Sequence, residues 1–295
     1  MLAILRFVVL GLAIIGAGAR AEEVKIPLAG LALNGELTIA KGKTLNDGVV
    51  LLVHGTLMHG RMELIAGLQK RLAQQGINSL AITLALGLDD RRGGYDCAMP
   101  HRHRHEDAVG EIAAWIEWLK SRGARNIAVA GYSRGGAQAA LYASTRDDPA
   151  ITRHVLIAPT LFDAAETAAA YEASFKTPLA PLLANAQALV KDSKGDTMLT
   201  GIGLLYCPGT TASASSFASY YADDGKKDTP GLLKAIKKPT LVVVAGNDTV
   251  VRDLDKLIAP EPPRVEIAKI DGADHSFLDL YLDDLADKLA EYLSK

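Results

Sequence analysis

The chain has 295 residues, of which 49% are apolar, 22% charged and 5% aromatic, and its formal net charge is −2. This composition is typical of a globular protein and excludes a disordered chain, a coiled coil and a collagen. The 32 basic and 34 acidic residues form no block of like charge, so nothing favours nucleic acid or an anionic membrane surface as a partner. We therefore expect a small molecule or a short peptide as the ligand.

Residues 1–21 have the pattern of a secretory signal peptide. An apolar run over residues 7–19 follows Arg6, and Ala19 and Ala21 place small residues where a signal peptidase reads the chain. The run is shorter than the roughly 20 residues that span a bilayer, so an uncleaved anchor is the weaker alternative. We expect cleavage after Ala21, a mature domain over residues 22–295 with no stable membrane insertion, and a periplasmic or secreted location.

From residue 24 onward, apolar runs of strand length alternate with helical patterns. This order is typical of a mostly parallel central sheet flanked by helices, an α/β fold. The runs are continuous, as expected for strands buried on both faces, and cover residues 49–53, 79–84, 127–130, 155–158, 240–245 and 265–270. The stretch 24–39 alternates more and predicts an antiparallel hairpin at one edge.

Helical apolar stripes at residues 64–72, 109–119 and 278–292 predict helices that cover the sheet with one face each. The stretch 161–238 is too long for a simple connection between strands. It has helical patterns of its own over 164–171 and 179–190, so we expect an inserted helical cap. Within it, the Ser/Thr/Ala-rich piece 210–219 is expected to be a loop.

A candidate nucleophile follows the strand at 127–130. The segment Gly131-Tyr132-Ser133-Arg134-Gly135 has the form G-x-S-x-G and opens a helix rich in small residues. In this context a tight turn with glycine on both sides lifts the serine hydroxyl above the sheet. The backbone N–H of Arg134, at the start of the helix, can bind the oxygen that becomes negative during acyl transfer. The alternative is a glycine-rich turn whose serine only caps the helix.

A second oxyanion donor is predicted at His54-Gly55-Thr56, directly after the strand at 49–53. Glycine at this position lets the backbone approach a substrate closely. We expect the backbone N–H of Thr56 to face the oxyanion and the His54 side chain to hold the loop through hydrogen bonds.

The two remaining groups of a catalytic triad follow the last two predicted strands, at Asp248 and His275. A serine hydroxyl needs an imidazole base, and the imidazole needs a carboxylate to fix its tautomer. Asp163, which follows the strand at 155–158, is the weaker candidate for the acid. Asp274 is expected to be a turn residue.

These motifs, from residue 49 to the C-terminus, resemble the α/β-hydrolase superfamily. The resemblance implies an α/β-hydrolase fold with a variable cap, Ser133 as nucleophile, Asp248 as acid and His275 as base. It also implies an oxyanion hole formed by the amides of Thr56 and Arg134, and chemistry without a metal or organic cofactor. Many relatives carry Gly-x-Gly-x-Ser after the next strand, whereas this chain has residues 87–94, Gly-Leu-Asp-Asp-Arg-Arg-Gly-Gly.

Two groups of metal- or redox-active residues stand outside the triad. His101, His103 and His105 alternate within five residues, which allows a metal site, a loop bordering the pocket, or an exposed loop before a helix; we expect the exposed loop and no metal. Cys97 and Cys207 could form a disulfide in an oxidising compartment or remain two thiols.

The expected function is a secreted or periplasmic serine hydrolase that cleaves a carboxylic ester through an acyl-enzyme. A serine peptidase of the same fold is the alternative within the class, with a short peptide as substrate. A haloperoxidase-like use of the fold and a non-catalytic binding protein on a hydrolase scaffold also remain open.

Overall fold

The computed structural model describes residues 19–259 and 262–295, so most of the predicted signal peptide lies outside the described residues. The strands are β1 (Arg20–Leu28), β2 (Leu31–Ile39), β3 (Val49–Val53), β4 (Ser79–Thr83), β5 (Ile127–Tyr132), β6 (Ile151–Ile157), β7 (Met198–Leu204), β8 (Cys207–Ser213), β9 (Thr240–Ala245) and β10 (Val265–Ile270). The helices are α1 (Glu63–Gln74), α2 (Asp107–Ser121), α3 (Arg134–Thr145), α4 (Ala164–Phe175), α5 (Leu179–Lys191), α6 (Ala214–Tyr221), α7 (Thr229–Leu233), α8 (Leu254–Ile258) and α9 (Leu280–Ser294).

The main sheet has eight strands among the described residues, in the order β1-β2-β4-β3-β5-β6-β9-β10. β1 and β2 form an antiparallel hairpin at one edge, and β2 also runs antiparallel to β4. The remaining pairs, from β4 to β10, are parallel. The predicted mostly parallel sheet with flanking helices is therefore confirmed, and all six predicted apolar runs are strands of it.

The apolar runs are continuous because the sheet has a hydrophobic core on each face. In β3, Val49, Leu51 and Val53 join one core and Val50 and Leu52 join the other, as the alternation of side chains along a strand requires. Helices α2 and α3 cover the first face and α1 and α9 cover the second. Each apolar side chain that is removed from water in this way stabilises the fold by about 1.5–3 kcal/mol.

The segment between β6 and β9 contains α4, α5, the β7–β8 hairpin, α6 and α7, and has a third hydrophobic cluster of its own. We call it the inserted segment. Besides helices it contains a two-stranded sheet, and residues 210–219 belong to β8 and α6. The prediction of a loop there was wrong. Pairing with β7 orders this polar stretch, and the Ser213 side chain caps α6 by accepting the N–H of Ser216.

The inserted segment is tied to the loop that follows β4. Cys97 and Cys207 form a disulfide with a Cα–Cα distance of 5.3 Å. Close by, His101 forms an isolated bridge with Ala212, and the Thr210 hydroxyl donates to the Cys97 carbonyl oxygen. These contacts hold the inserted segment against the loop that follows the carboxyl end of β4. None of the helices in the described part of the chain is long and apolar enough to cross a membrane.

Candidate active site

Ser133 occupies a strained turn between β5 and α3. Its φ of 54° lies in the left-handed region, which costs a residue with a side chain of order 1–3 kcal/mol. A Cβ on Gly131 would collide with the carbonyl oxygen of Gly135, and a Cβ on Gly135 would collide with that of His54. Only glycine fits on either side of the turn, which is the physical basis of the G-x-S-x-G pattern.

The structure brings the three predicted triad residues together. Ser133 Oγ lies 2.9 Å from His275 Nε2, and His275 Nδ1 lies 2.8 Å from Asp248 Oδ2. The Ser133 hydroxyl does not cap α3. Because the carboxylate accepts the Nδ1 proton, Nε2 is left free to accept the serine proton.

Backbone N–H groups hold the other oxygen of the Asp248 carboxylate in place. Asp248 Oδ1 accepts the N–H groups of Val250 and Val251 at 2.7 and 2.8 Å, and the side chain is only 2% exposed. Asp163, the weaker candidate, instead caps α4 by accepting the N–H of Glu166. Asp274 accepts the N–H and hydroxyl of Ser276, as expected for a turn residue.

The backbone amides of Thr56 and Arg134 lie at the ends of β3 and β5, which are neighbours in the sheet. Among the described residues, neither N–H has a hydrogen-bond acceptor. Arg134 is the first residue of α3, where the N–H groups have no partner within the helix and the positive end of the dipole adds to them. Both donors are therefore available for an oxyanion.

His54 is buried and organises the Thr56 loop, as predicted from the sequence. Nε2 accepts the N–H of Leu84 at 3.1 Å, so Nδ1 carries the proton and donates it to the Gly55 carbonyl oxygen at 2.7 Å. Burial, and to a smaller extent the charge of Arg91, lower the pKa of His54 to about 3. The imidazole is thus neutral and fixed in one tautomer.

Sequence reasoning did not identify Arg91 and Glu111 as supports of this loop. Arg91 is buried and donates to the carbonyl oxygens of Leu84 and Gly93 and to His54 Nε2. Burial lowers its pKa to about 10. Glu111 on α2 accepts the N–H of Ala85, and burial raises its pKa to about 7. Arg91 belongs to the stretch 87–94 in which the chain departs from its relatives, and that departure was the available signal.

Tyr132, the second residue of the G-x-S-x-G motif, contacts the loop that carries His275. Its hydroxyl donates to the backbone carbonyl of His275 at 2.9 Å, and its ring centroid lies 5.3 Å from that of the imidazole. The residue before the nucleophile therefore positions the loop that carries the base.

The histidines of 101–105 do not form the exposed loop that was expected. His101, His103 and His105 are buried, and only the intervening arginines are exposed. The exposed-loop interpretation was wrong because the inserted segment covers these rings. His103 Nδ1 lies 2.7 Å from the hydroxyl of Tyr220 in that segment. The rings also contact each other, and His103 Nε2 lies 3.0 Å from His101 Nδ1. Within the described ranges, no group of three or more His, Cys, Asp or Glu side chains is arranged to hold a metal.

The arrangement can perform nucleophilic acyl chemistry. The site contains a serine hydroxyl, an imidazole within hydrogen-bond reach of it and a carboxylate that fixes the imidazole. It also contains two backbone N–H donors that have no acceptor among the described residues. These are the groups that acyl transfer requires.

Comparison with known proteins gives the family. The profile described as the alpha/beta hydrolase family matches residues 50–291. No curated protein sequence matches the chain.

Similar solved structures cover nearly the whole chain at low identity. Est1E from Butyrivibrio proteoclasticus, solved with bound ferulic acid, is 17% identical with a TM-score of 0.67, covering 92% of this chain and 98% of its own. A monoacylglycerol lipase from Paleococcus ferrophilus is 23% identical with a TM-score of 0.61, covering 88% and 98%. The Pyrococcus furiosus esterase Pf2001 is 19% identical with a TM-score of 0.60, covering 94% and 90%. At these identities the likeness shows a shared fold. Since the family profile covers most of the chain, this protein belongs to the alpha/beta hydrolase family.

Proposed function

We propose that this protein is a serine hydrolase that cleaves a carboxylic ester through an acyl-enzyme on Ser133. The observation that carries the proposal is the hydrogen-bonded series from Ser133 Oγ through His275 to Asp248. The esterase and lipase among the similar structures agree with it at the level of the fold.

The first half of the reaction forms the acyl-enzyme. Ser133 Oγ attacks the ester carbonyl carbon as its proton moves to His275 Nε2, and the Asp248 carboxylate stabilises the imidazolium. The carbonyl oxygen becomes negative and is bound by the amides of Thr56 and Arg134. The imidazolium then returns the proton to the leaving alcohol as the tetrahedral intermediate collapses.

The second half releases the acid. Water gives a proton to His275 Nε2 and attacks the acyl carbon, and the oxyanion again faces the two amides. Collapse of this intermediate returns the proton to Ser133 Oγ and frees the carboxylic acid. No step needs an oxidant or a reductant.

The test is the intact mass of the protein after treatment with a fluorophosphonate. We expect one stoichiometric adduct on the protein, no adduct on Ser133→Ala, and a normal adduct on the control Ser144→Ala. Ser144 lies near the other end of α3, and its hydroxyl donates to the carbonyl oxygen of Leu141. A folded protein that forms no adduct would contradict the proposal and favour a non-catalytic binding protein.

A panel of aryl esters and aminoacyl arylamides then separates an esterase from a peptidase. An esterase hydrolyses the esters and leaves the amides intact, because an amine is a much poorer leaving group than a phenol. Turnover of the amides at rates comparable to the esters would identify a peptidase instead.

The protein is further proposed to be exported and processed after Ala21. The leader pattern supports this, and the Cys97–Cys207 disulfide agrees with an oxidising compartment. Cleavage there would leave β1 paired with β2 from Glu22, which faces Leu37, to the end of the strand. Protein recovered from a bacterial periplasm is expected to have the intact mass of a chain that begins at Glu22. Retention of residues 1–21 on protein in the cell membrane would contradict export as a free domain.

A further inference from the structure

A cavity of about 210 Å³ lies between the start of α3 and the inserted segment. Its walls include the aromatic rings of Phe162, Tyr171, Phe175, Tyr220 and Tyr221. It also contains the side chains of two cations, Arg134 and Lys227. Pockets that take a complete drug-sized ligand have volumes of about 300–1,000 Å³, and this cavity is smaller. It is therefore suited to one small part of a substrate.

The guanidinium of Arg134 lacks a carboxylate partner within the described part of the chain. Its Nε donates to Thr56 Oγ1 at 3.1 Å, and the group lies over the ring of Tyr220, 5.4 Å from the centroid. Neither terminal nitrogen has a protein acceptor among the described residues. A guanidinium carries five N–H donors in a rigid fork that matches a carboxylate, and four of them are unused here.

The charge of Arg134 is costly where it lies. Desolvation lowers its pKa, although the group remains a cation at any working pH. The side chain is half-buried, and a partly desolvated cation without a counter-ion is less stable than one that is paired with an anion. Arg134 lines the cavity and directly follows the nucleophile Ser133 in the chain.

Lys227 contributes a second cation to the wall of the cavity. Its side chain is 5% exposed, and Nζ lies 3.0 Å from Asp224 Oδ1, 2.9 Å from the Ser219 carbonyl oxygen and 4.9 Å from the centroid of the Phe162 ring. Asp224 also pairs with Lys226, and Lys226 pairs with Glu106. The acidic groups on this side are thus engaged with lysines, and the charge of Arg134 is left without a counter-ion.

We propose that this cavity is an anion-binding subsite, in which Arg134 and Lys227 hold a carboxylate carried by the ester substrate. The substrate class is a carboxylate-bearing ester, such as a monoester of a short dicarboxylic acid, with an apolar portion against the aromatic walls. The inference rests on the proposed ester hydrolysis at Ser133, because Arg134 is the next residue in the chain.

The subsite predicts a preference for anionic over neutral esters, which can be measured with matched pairs of substrates. Each pair consists of the p-nitrophenyl monoester of a dicarboxylic acid, from succinate to suberate, and the same compound with its free carboxylate methylated. A second pair, the acetate ester of 4-hydroxyphenylacetate and its methyl ester, places the charge on the alcohol side. At the best fit we expect kcat/KM to favour the anionic member by about 10- to 100-fold, as a charge-assisted bidentate contact provides.

The ratio of the two kcat/KM values is the readout, because Arg134 also supports Thr56 and its replacement changes both rates. We expect the ratio to fall to near one in Arg134→Gln, to fall several-fold in Lys227→Gln, and to be partly restored in Arg134→Lys. Thr56→Val removes the same Nε contact and keeps the cation, so it should change both rates and preserve the ratio. Arg146→Gln, at the exposed far end of α3, is the control, and it should leave both kcat/KM values and their ratio unchanged. Equal kcat/KM within every pair of the native protein would overturn the proposal, as would an unchanged ratio in Arg134→Gln.

A binding measurement separates this inference from the proposed function. Ser133→Ala protein is titrated calorimetrically with the monoanilide of the best dicarboxylic acid and with its methyl ester. At least tenfold tighter binding of the anion, lost in Ser133→Ala/Arg134→Gln, would support the subsite even if no fluorophosphonate adduct forms. Equal binding of the two compounds, together with a normal adduct, would remove the subsite and leave the serine chemistry intact.

Discussion

The imidazole of His54 holds the carbonyl oxygen of Gly55 at 2.7 Å. In a planar trans peptide the carbonyl and the following N–H point in opposite directions. The contact therefore turns the N–H of Thr56 away from His54 and leaves it available for an oxyanion. Because the same imidazole accepts the N–H of Leu84, the β3 and β4 ends are held in a fixed relation.

Replacing His54 is expected to affect both stability and catalysis. His54→Ala leaves the N–H of Leu84 buried without an acceptor, which should lower the free energy of unfolding by about 2–4 kcal/mol. It also frees the Gly55–Thr56 peptide, and since loss of an oxyanion donor costs about 10²- to 10³-fold, we expect kcat to fall substantially with little change in KM. Urea unfolding and ester kinetics check this. His59→Ala, on the same loop and half-buried, should leave kcat unchanged, and a normal kcat in His54→Ala would show that the imidazole is only structural.

Asp248→Asn is expected to inactivate the enzyme without unfolding it. The asparagine oxygen can still accept the N–H groups of Val250 and Val251, but the amide cannot stabilise the imidazolium or fix the tautomer of His275. We expect kcat to fall by about 10³- to 10⁴-fold while the melting temperature changes little. Asp274→Asn, next to the base, and Asp163→Asn are the matched controls. If Asp163→Asn loses more activity than Asp248→Asn, the assignment of the acid is incorrect.

Acid is expected to destabilise the fold in a window set by buried histidines. Burial lowers the pKa of His54 and His103 to about 3 and of His101 and His154 to about 4, and it places that of His105 well below its usual value. As the pH falls below about 6.5, these histidines bind protons in the unfolded chain but not in the folded protein. Each histidine then removes up to about 1.4 kcal/mol of stability per pH unit.

Glu111 has the opposite effect on the pH dependence of stability, and it offsets the contribution of about one buried histidine. Burial raises its pKa to about 7, so between about pH 4.5 and 7 the folded protein holds a proton that the unfolded chain releases. Its contribution to stability is therefore largest at low pH and is lost as the pH rises through 7. Urea unfolding between pH 5 and 8 should show a plateau above pH 7 and a steep fall below 6.5, and a free energy that stays constant down to pH 5 would contradict these shifts. In Glu111→Gln the fall should be steeper by one proton.

The disulfide is expected to be a major source of stability. It joins residues separated by 110 positions, and chain-entropy reasoning assigns such a crosslink a ceiling of about 4–5 kcal/mol. The double variant Cys97→Ala/Cys207→Ala should unfold at a lower urea concentration. Its free energy of unfolding should be lower than that of the native protein by about 2–5 kcal/mol. A reducing agent should destabilise the native protein to the same extent and have no effect on the double variant. An unchanged midpoint in both experiments would show that the inserted segment is held by its other contacts alone.

Local pattern was sufficient where one short segment carried all the information. The strand at 49–53 is identified by a continuous apolar run, because both faces of the sheet are covered. The turn around Ser133 is identified by its glycines, because a Cβ on either side would collide with backbone. The stretch 210–219 gave no such signal: it is polar, and it becomes a strand and a helix only through pairing with β7 and capping by Ser213.

The sequence by itself determined the α/β class, the strands of the main sheet and the candidates Ser133, Asp248 and His275, since each depends on periodicity or on a motif of a few residues. Only the tertiary structure decided that Ser133 and Asp248 meet through His275, that Cys97 reaches Cys207, that the three histidines of 101–105 are buried, and that Arg134 faces a cavity without a carboxylate. The physical reason is the same in each case. Burial and hydrogen bonding join residues about 27 to 140 positions apart, and no local pattern in one chain records which distant segments come together.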